Sequence, residues 1–251
     1  MRRMVPTVLA LSLACLLALT GWAGEDGAAA IIDKAIKAHF PKGVDTKNGG
    51  LRTKSKGTLH IMGLDLDYTQ EVSVQSPDKF KEAMELTIMN NKIVVTTVFN
   101  GKEGWIRAGD KDVPVTGEIL DELKEAAYSI SLMQGLFMKD KTVKFSVVGD
   151  AKVKDKAAVG VRVSREGKKD INLYFDKATH LVTKVEMRKR DLMSGQEVTE
   201  ERFITEYQDV ADRKVAKKVE VLRDGKALIE AEVTDVQILP KLDDSEFAKP
   251  K

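Results

Sequence analysis

The chain has 251 residues, of which 43% are hydrophobic and 32% are charged. These proportions are typical of a globular protein and exclude both a disordered chain and a membrane protein with several spans. Without residues 1–23, whose only charges are Arg2 and Arg3, 39 basic residues face 39 acidic ones. This balance excludes a basic nucleic-acid-binding module, because such a module needs excess positive charge to attract phosphates.

Residues 1–23 have the pattern of a secretory signal peptide. Arg2 and Arg3 precede an uncharged run over 5–23, and the run ends in the small-residue exit Gly21-Trp22-Ala23. We therefore predict export to the periplasm, with residues 1–23 removed and a mature domain over 24–251.

Two alternatives to cleavage stay open. The uncharged run is nearly long enough to span a bilayer, so it could remain as a membrane anchor. Cys15 could instead carry a lipid, although Ser12 stands where a lipidation signal usually has Leu. Cleavage after Ala23 would remove the one Cys of the chain and with it any disulfide or thiolate chemistry.

The mature sequence predicts a helix first and then strands. The segment 28–39 places Ile, Ala and Ile on one face, as in an amphipathic helix, and Pro41 ends it. After Gly49-Gly50 the pattern changes, and from Leu64 onward apolar residues alternate with polar ones, which is the period of half-buried strands. The pair Asn100-Gly101 predicts a tight hairpin between two such strands.

A second helix is predicted over 117–138, in the middle of the strands. Thr116 can cap its first turn, and acidic residues follow where the helix dipole favours them. Its apolar residues recur at three- and four-residue spacing and form one stripe. From residue 142 the chain returns to alternating strands that are separated by short polar turns.

We expect an α+β fold that is mostly antiparallel β, in one domain over 24–251. About eleven strands in a meander predict a single large curved sheet that forms an incomplete, half-open β-barrel. The sheet has one apolar face in need of cover, so we expect the two helices to lie on its concave face.

The sequence contains no recognisable catalytic or metal-binding motif. His39, His60 and His180 have no second ligand at metal-binding spacing, and we expect them at the surface or at strand edges. Nucleophile elbows and phosphate-binding glycine loops are also missing. Charge runs such as 188–190 are interpreted as solvated surface. We therefore predict no enzyme activity, no catalytic residue, no metal and no cofactor.

The apolar residues are the more informative signal. Seven Met residues remain in the mature chain, and Met adapts its shape to irregular ligands such as acyl chains. Core filling is the simpler explanation for any single Met. We predict a ligand cavity and a helical lid formed by Met84, Ile88, Trp105, Ile119, Leu123, Ala127, Ile130, Met133 and Phe137.

Three short segments resemble a known family. They are the step Ser76-Pro77-Asp78-Lys79-Phe80, the strand and turn over 94–101 with the following Trp105, and the closing segment 242–247. The chain resembles the LolA/LolB-like outer-membrane lipoprotein-sorting proteins, which implies a half-barrel with a helical lid over an apolar cavity. The family has an Arg before this Pro, thought to latch the lid. Here the position is Ser76, and Lys79 and Lys81 are the candidate substitutes.

The resemblance and the apolar stripe together predict a non-enzymatic binding protein of the cell envelope. It would shelter an acyl chain or a lipoprotein, as a carrier or chaperone. The expected partners are lipids or acylated proteins, with envelope membrane proteins as further candidates, and no nucleic acid; we expect a monomer. The main alternative is an envelope sensor or protein-interaction module on the same fold. An enzyme with its site in the barrel mouth is a third hypothesis.

Overall fold

The computed structural model describes residues 25–44, 49–89, 91–133, 141–191 and 194–250. These residues form one β-sheet, two α-helices and a 3-10 turn near the C-terminus. In chain order the elements are α1 (Glu25–His39), β1 (Gly50–Ile61), β2 (Leu64–Gln75), β3 (Lys79–Ile88), β4 (Asn91–Asn100), β5 (Gly104–Ala108), β6 (Lys111–Val113), α2 (Gly117–Met133), β7 (Val143–Val153), β8 (Lys156–Arg165), β9 (Ile171–Asp176), β10 (Val182–Arg190), β11 (Glu197–Val210), β12 (Arg213–Arg223), β13 (Lys226–Leu239) and the 3-10 turn (Asp244–Phe247).

The sheet has thirteen strands in the order β6-β5-β4-β3-β2-β1-β13-β12-β11-β10-β9-β8-β7. Each strand pairs antiparallel with its neighbours, so two meanders meet where β1 pairs with β13. The end strands β6 and β7 are not neighbours in this order, and the sheet stays open. The predicted open, mostly antiparallel sheet is thus confirmed, with thirteen strands instead of about eleven. The two additional strands are β1, whose polar sequence hides its alternation, and the three-residue β6.

Local side-chain chemistry explains where two of these elements begin. The hydroxyl of Thr116 accepts a hydrogen bond from the Ile119 amide at 3.4 Å, which caps the first turn of α2. At the β4–β5 hairpin, the Asn100 side chain accepts hydrogen bonds from the amides of Lys102 and Glu103, at 2.9 and 2.8 Å. Gly101 has a φ of 95°, which a side chain would disfavour.

Helix α2 packs on both halves of the sheet, and this requires the sheet to curl. Leu123 and Ala127 belong to an apolar cluster with Phe80 of β3, whereas Leu132 belongs to a second cluster with Leu173 of β9. Strands β3 and β9 are seven places apart in the sheet order, or about 34 Å if the sheet were flat. From Leu123 to Leu132 the helix rises only about 13.5 Å. Both halves can reach the helix only because the sheet is strongly concave on this side.

The opposite, convex face carries the C-terminal segment. Phe247 of the 3-10 turn is 1% exposed and packs with Val98 and Leu242, and Trp105 lies against this cluster. Val98 and Phe99 are adjacent in β4, so they point to opposite faces of the sheet. Phe99 accordingly joins the cluster under α2. The C-terminal segment therefore covers the outside of the same strands that α2 covers from the inside.

We predict that Phe247→Ala lowers the free energy of unfolding by about 3–5 kcal/mol, because it leaves a cavity against Val98. Urea denaturation followed by circular dichroism measures the change. Val94→Ala is the matched control, since Val94 is 40% exposed on the convex side of β4, and it should cost less than about 1 kcal/mol. Equal effects of the two changes would show that the C-terminal turn contributes little to the sheet.

Candidate functional site: a cavity under helix α2

A cavity of about 350 Å³ lies between α2 and the concave face of the sheet. Small-molecule sites commonly measure about 300–1,000 Å³, so this cavity is at the small end of that range. Leu123 and Ala126 of α2 form part of its roof. The sheet and its turns line the rest of the cavity, among others with Leu59, Ile61, Phe80, Glu82, Met187, Lys189, Arg190, Asp191, Arg202, Arg223, Leu228 and Ile229.

The wall formed by β1 and β13 is apolar. Leu59 of β1 lies opposite Ile229 of β13 in the antiparallel register, so both side chains stand on the same face. Ile61 and Leu228 extend this surface. All four are only partly buried although they lie on the inner side of the sheet, because they border the cavity.

The wall formed by β10, β11 and β12 is charged. Glu200 of β11 has a side chain only 3% exposed. Its carboxylate accepts a hydrogen bond from Arg202 Nε at 2.9 Å and lies 3.1 Å from Lys189 Nζ. Burial opposes ionisation of Glu200, but the positive charges of Arg202 and Lys189 outweigh it and lower the pKa to about 2. Glu200 is therefore a buried carboxylate that stays ionised at neutral pH.

A second ion pair lies in the same wall. Arg223 of β12 donates a hydrogen bond from Nη1 to the Asp191 carboxylate at the end of β10. Asp191 also accepts a hydrogen bond from the Ser194 amide at 2.6 Å. The pair thus joins strands β10 and β12 across the intervening β11.

Ion pairs hold α2 to one side of the sheet. Glu118, Glu122 and Glu125 lie on one face of the helix, since their spacing is four and three residues. Glu118 pairs with Arg190 at 3.1 Å and Glu122 pairs with Lys169 at 2.8 Å. The third pair joins Glu125 to Lys168 of the β8–β9 turn at 3.0 Å. This row of contacts fastens the predicted lid beside β9 and β10.

Solved structures share this architecture. An outer membrane lipoprotein-sorting protein domain from Vibrio parahaemolyticus superposes with a TM-score of 0.54 at 13% identity, covering 89% of this chain and 97% of that chain. A LolA superfamily protein from Nitrosomonas europaea superposes with a TM-score of 0.53 at 11% identity, covering 88% of this chain and 97% of that chain. The resemblance is confirmed at the level of the fold. No protein-family model and no curated protein sequence matches the chain.

The latch substitutes proposed from this resemblance do not face the lid. Lys79 of β3 donates a hydrogen bond to Asp244 of the 3-10 turn at 2.9 Å, which places it on the convex face. Lys81 is two residues further along β3 and therefore shares that face. In this chain the ion pairs that hold α2 are instead on the β9–β10 side of the cavity, where Lys168, Lys169 and Arg190 pair with glutamates of the helix.

The structure brings part of the predicted site together. Leu123 lines the cavity, and Ala127 and Ile130 belong to the cluster beneath α2. Ile119 is half-buried in the first turns of α2, and Met133 is 43% exposed beside a smaller, separate pocket between α1 and α2. Met84 and Ile88 share the concave face with Phe80 by register but do not border the cavity. Phe137 lies outside the described residues.

The structure corrects the placement of Trp105. This residue pairs with Val98 in the β4–β5 ladder and packs against the C-terminal segment on the convex face. The sequence prediction placed it in the cavity, together with the strand and turn over 94–101 that precede it. A strand has two faces, however, and the partner that covers Trp105 is more than 130 residues away in the chain.

Sequence reasoning missed the charged wall of the cavity. It interpreted the run 188–190 as solvated surface, whereas Lys189 and Arg190 border the cavity. A signal was present in β11, where Glu200 and Arg202 alternate in phase with the apolar Val198 and Ile204. Charged residues in the apolar phase of a strand point into the interior, and they need partners there.

The three His residues do not form a metal site. Within the described part of the chain, no three His, Cys, Asp or Glu side chains converge as metal ligands. His39 was expected at the surface but is half-buried between α1 and β11, with Nδ1 at 2.9 Å from the Ala35 carbonyl oxygen. Burial lowers its pKa, against the opposing effect of that hydrogen bond.

Neither helix, over its described residues, is long and apolar enough to cross a membrane.

The Glu200 pair predicts a specific acid sensitivity. The ordinary pKa of Glu is near 4.5 and that of folded Glu200 is about 2, so its stabilisation is complete above pH 4.5 and is lost as pH falls toward 2. Between pH 7 and pH 3.5 the wild type should therefore lose about 1 kcal/mol of unfolding free energy that Glu200→Gln does not lose. Denaturant titrations at both pH values measure this difference.

The control for this test is Glu201→Gln, the next residue of β11. Its side chain faces the convex side, where it pairs with Lys184 at 2.8 Å. Glu201→Gln should keep the acid sensitivity of the wild type. If Glu200→Gln and Glu201→Gln lost the same stability between the two pH values, the buried pair would not be responsible.

The row of ion pairs predicts how firmly α2 is held. Burial opposes the charge of Lys169, but hydrogen bonds to Glu122 and Glu197 outweigh it and raise its pKa. Lys169→Glu replaces these attractions with repulsion and should cost about 1 kcal/mol. Amide hydrogens of α2 should then exchange about fivefold faster, as measured by mass spectrometry.

Two further variants test the assignment to this ion pair. The exchanged pair Lys169→Glu with Glu122→Lys should recover most of the protection of α2. Lys177→Glu, which breaks an exposed pair with Asp150 of β7 instead of a pair with α2, should leave it unchanged. Unaltered exchange in Lys169→Glu would mean that apolar packing alone holds the helix.

Proposed function

We propose that this protein is an exported, non-enzymatic binding protein of the cell envelope that shelters an acyl chain in the cavity under α2. The observation that carries the proposal is the apolar wall of Leu59, Ile61, Leu228 and Ile229, which faces open volume instead of protein. Exposed apolar surface of this kind is unfavourable in water unless a ligand covers it.

The energetics of acyl chains agree with such a role. Each methylene that leaves water is stabilised by about 0.8 kcal/mol, so a chain of about sixteen carbons gains some 12 kcal/mol from complete shelter. A cavity of about 350 Å³ suits one chain better than the several chains of a lipoprotein anchor. A fatty acid, a single-chain lipid or one chain of an acylated protein is therefore the ligand class we favour.

The export step of this proposal depends on residues 1–23, which lie outside the described residues. Removal of the signal peptide and location in the periplasm therefore stay predictions from the sequence pattern. The same holds for the single mature domain over 24–251 and for the monomeric state. Location in the cell envelope is supported by the two solved structures with the same architecture, a lipoprotein-sorting protein domain and a LolA superfamily protein.

The binding function can be tested with one charged substitution. Leu59→Glu places a carboxylate in the apolar wall, where hydrocarbon would leave it unsolvated. We expect the wild type to bind a fluorescent fatty acid saturably and Leu59→Glu to bind it at least about tenfold more weakly, in a fluorescence titration. Val94→Glu, on the exposed convex side of β4, is the control and should bind normally.

Circular dichroism must show that both variants are folded. If the wild type bound neither a fatty acid nor any other acylated ligand, the proposal would fail. The alternative from the sequence, an envelope sensor or protein-interaction module on the same fold, would then take its place. Normal binding by folded Leu59→Glu would place the ligand elsewhere on the protein.

A further inference from the structure

The cavity under α2 is amphipathic, and we propose that its ligand is an amphiphile with an anionic head, a carboxylate or a phosphate. The head would bind to Arg202 and Arg223, and the acyl chain would lie along β1 and β13. This inference rests on the proposed function and deepens it, because it specifies the chemistry of the ligand and its orientation.

The first observation is that neighbouring strands contribute different chemistry to the cavity. Strands β1 and β13, at the centre of the sheet, contribute only apolar lining residues, Leu59, Ile61, Leu228 and Ile229. Strands β12, β11 and β10 follow β13 in that order and contribute Arg223, Arg202 and the basic run 188–190, with Met187 as the one apolar lining residue among them. One continuous cavity therefore has an apolar part and a charged part side by side. An entirely apolar ligand would offer no acceptor to the N–H groups of the charged part that its ion pairs leave unused.

The second observation is that Arg202 has donors to spare. Its Nε–H is used by Glu200, but its two terminal amino groups have no hydrogen-bond partner among the described residues. Its side chain is 45% exposed, and it borders the cavity. A guanidinium in this state offers a planar fork of N–H groups that matches a carboxylate or phosphate.

Arg223 adds a further unused donor. Its Nη1 is bonded to Asp191, while its Nε is buried and has no hydrogen-bond partner in the part of the chain that the structure describes. A buried donor without an acceptor is unfavourable, by about 1–3 kcal/mol. An anionic group in the cavity near Arg202 would supply an acceptor close to this second guanidinium.

The acids of this wall do not cancel the positive surface that a ligand would meet. Glu200 is 3% exposed and Asp191 is 10% exposed, whereas Lys189 is 32% exposed and Arg223 is 28% exposed. The carboxylates thus lie behind the basic groups and hold them in place. Of the acids that line the cavity besides Asp191, Glu122 and Glu125 are paired with lysines. Glu82 of β3 accepts a hydrogen bond from the neutral Gln70 side chain at 2.8 Å, and its charge attracts Arg202 without a direct hydrogen bond. An anionic head on Arg202 therefore has to outcompete this one acid.

The experiment compares ligands that differ only in the head. Palmitate is paired with 1-hexadecanol, and palmitoyl lysophosphatidic acid with monopalmitoyl glycerol, each below its micelle concentration. Each ligand displaces the neutral fluorescent probe N-phenyl-1-naphthylamine from the full mature protein. Acetate and inorganic phosphate are the arms that test for recognition of the free anion without a chain.

We expect each anionic ligand to displace the probe at a concentration about tenfold or more below that of its neutral partner, as charge-assisted hydrogen bonds allow. Acetate and phosphate should not displace it. Arg202→Gln should weaken only the anionic ligands. Arg162→Gln is the control, because Arg162 lies on the convex face, where it donates to Asn172 at 3.2 Å, and it should change nothing.

Arg202→Gln leaves Glu200 with one basic partner fewer and could unfold the protein. In that case Arg223→Gln, which keeps the contacts of Glu200, should likewise weaken only the anionic ligands.

Equal displacement by anionic and neutral ligands would overturn this inference and leave acyl binding intact. Displacement by none of the four acyl ligands would overturn the proposed function itself. Displacement by acetate or phosphate alone would indicate a site for a free anion.

Discussion

Helix α2 has to pack against two halves of a sheet that is much wider than the helix is long, and the cavity is a consequence of this constraint. Its N-terminal part contacts the cluster of Phe80, and its C-terminal part contacts the cluster of Leu173. The sheet curls to satisfy both. The strands between the two clusters, β1 and β13 to β11, curve away from the helix, and the cavity opens above them.

The same constraint explains why the cavity wall contains so much charge. Side chains on the inner face of β11 are directed into a space that neither helix fills. Glu200 can therefore be buried beside Arg202 while the Arg202 side chain keeps access to solvent. A buried ion pair of this kind contributes little net stability, because desolvation opposes the attraction between the charges. Its effect is to hold the guanidinium of Arg202 in one orientation at the edge of an apolar wall.

On the convex face the space above β3 and β4 is filled by the chain itself, and the contacts there have a structural role. The segment after β13 crosses β3 and β4, where Phe247 fills an apolar depression and ion pairs flank it. Arg52 donates to Glu246 at 2.6 Å, and Lys79 donates to Asp244 at 2.9 Å. Strands β3 and β4 are thus covered on both sides, by α2 and by the C-terminus. This double cover makes them the firm base against which the N-terminal half of α2 packs.

Much of the architecture followed from local pattern. The period of two identified most strands, and the three- and four-residue spacing identified both helices, because these periods arise from the backbone alone. Strands β1 and β6 were harder to detect. The first is polar along most of its length and the second has only three residues, so neither shows a clear alternation.

Local pattern was enough to predict a long antiparallel meander interrupted by one helix with an apolar stripe. Which side of each strand is concave depends on the packed fold, and this places Trp105 outside and Lys189 inside. Local sequence distinguishes the two faces of a strand by polarity and contains no information on which distant segment will cover each face. Inside and outside exist only once distant segments, α2 on one face and the C-terminal turn on the other, have packed against the curled sheet.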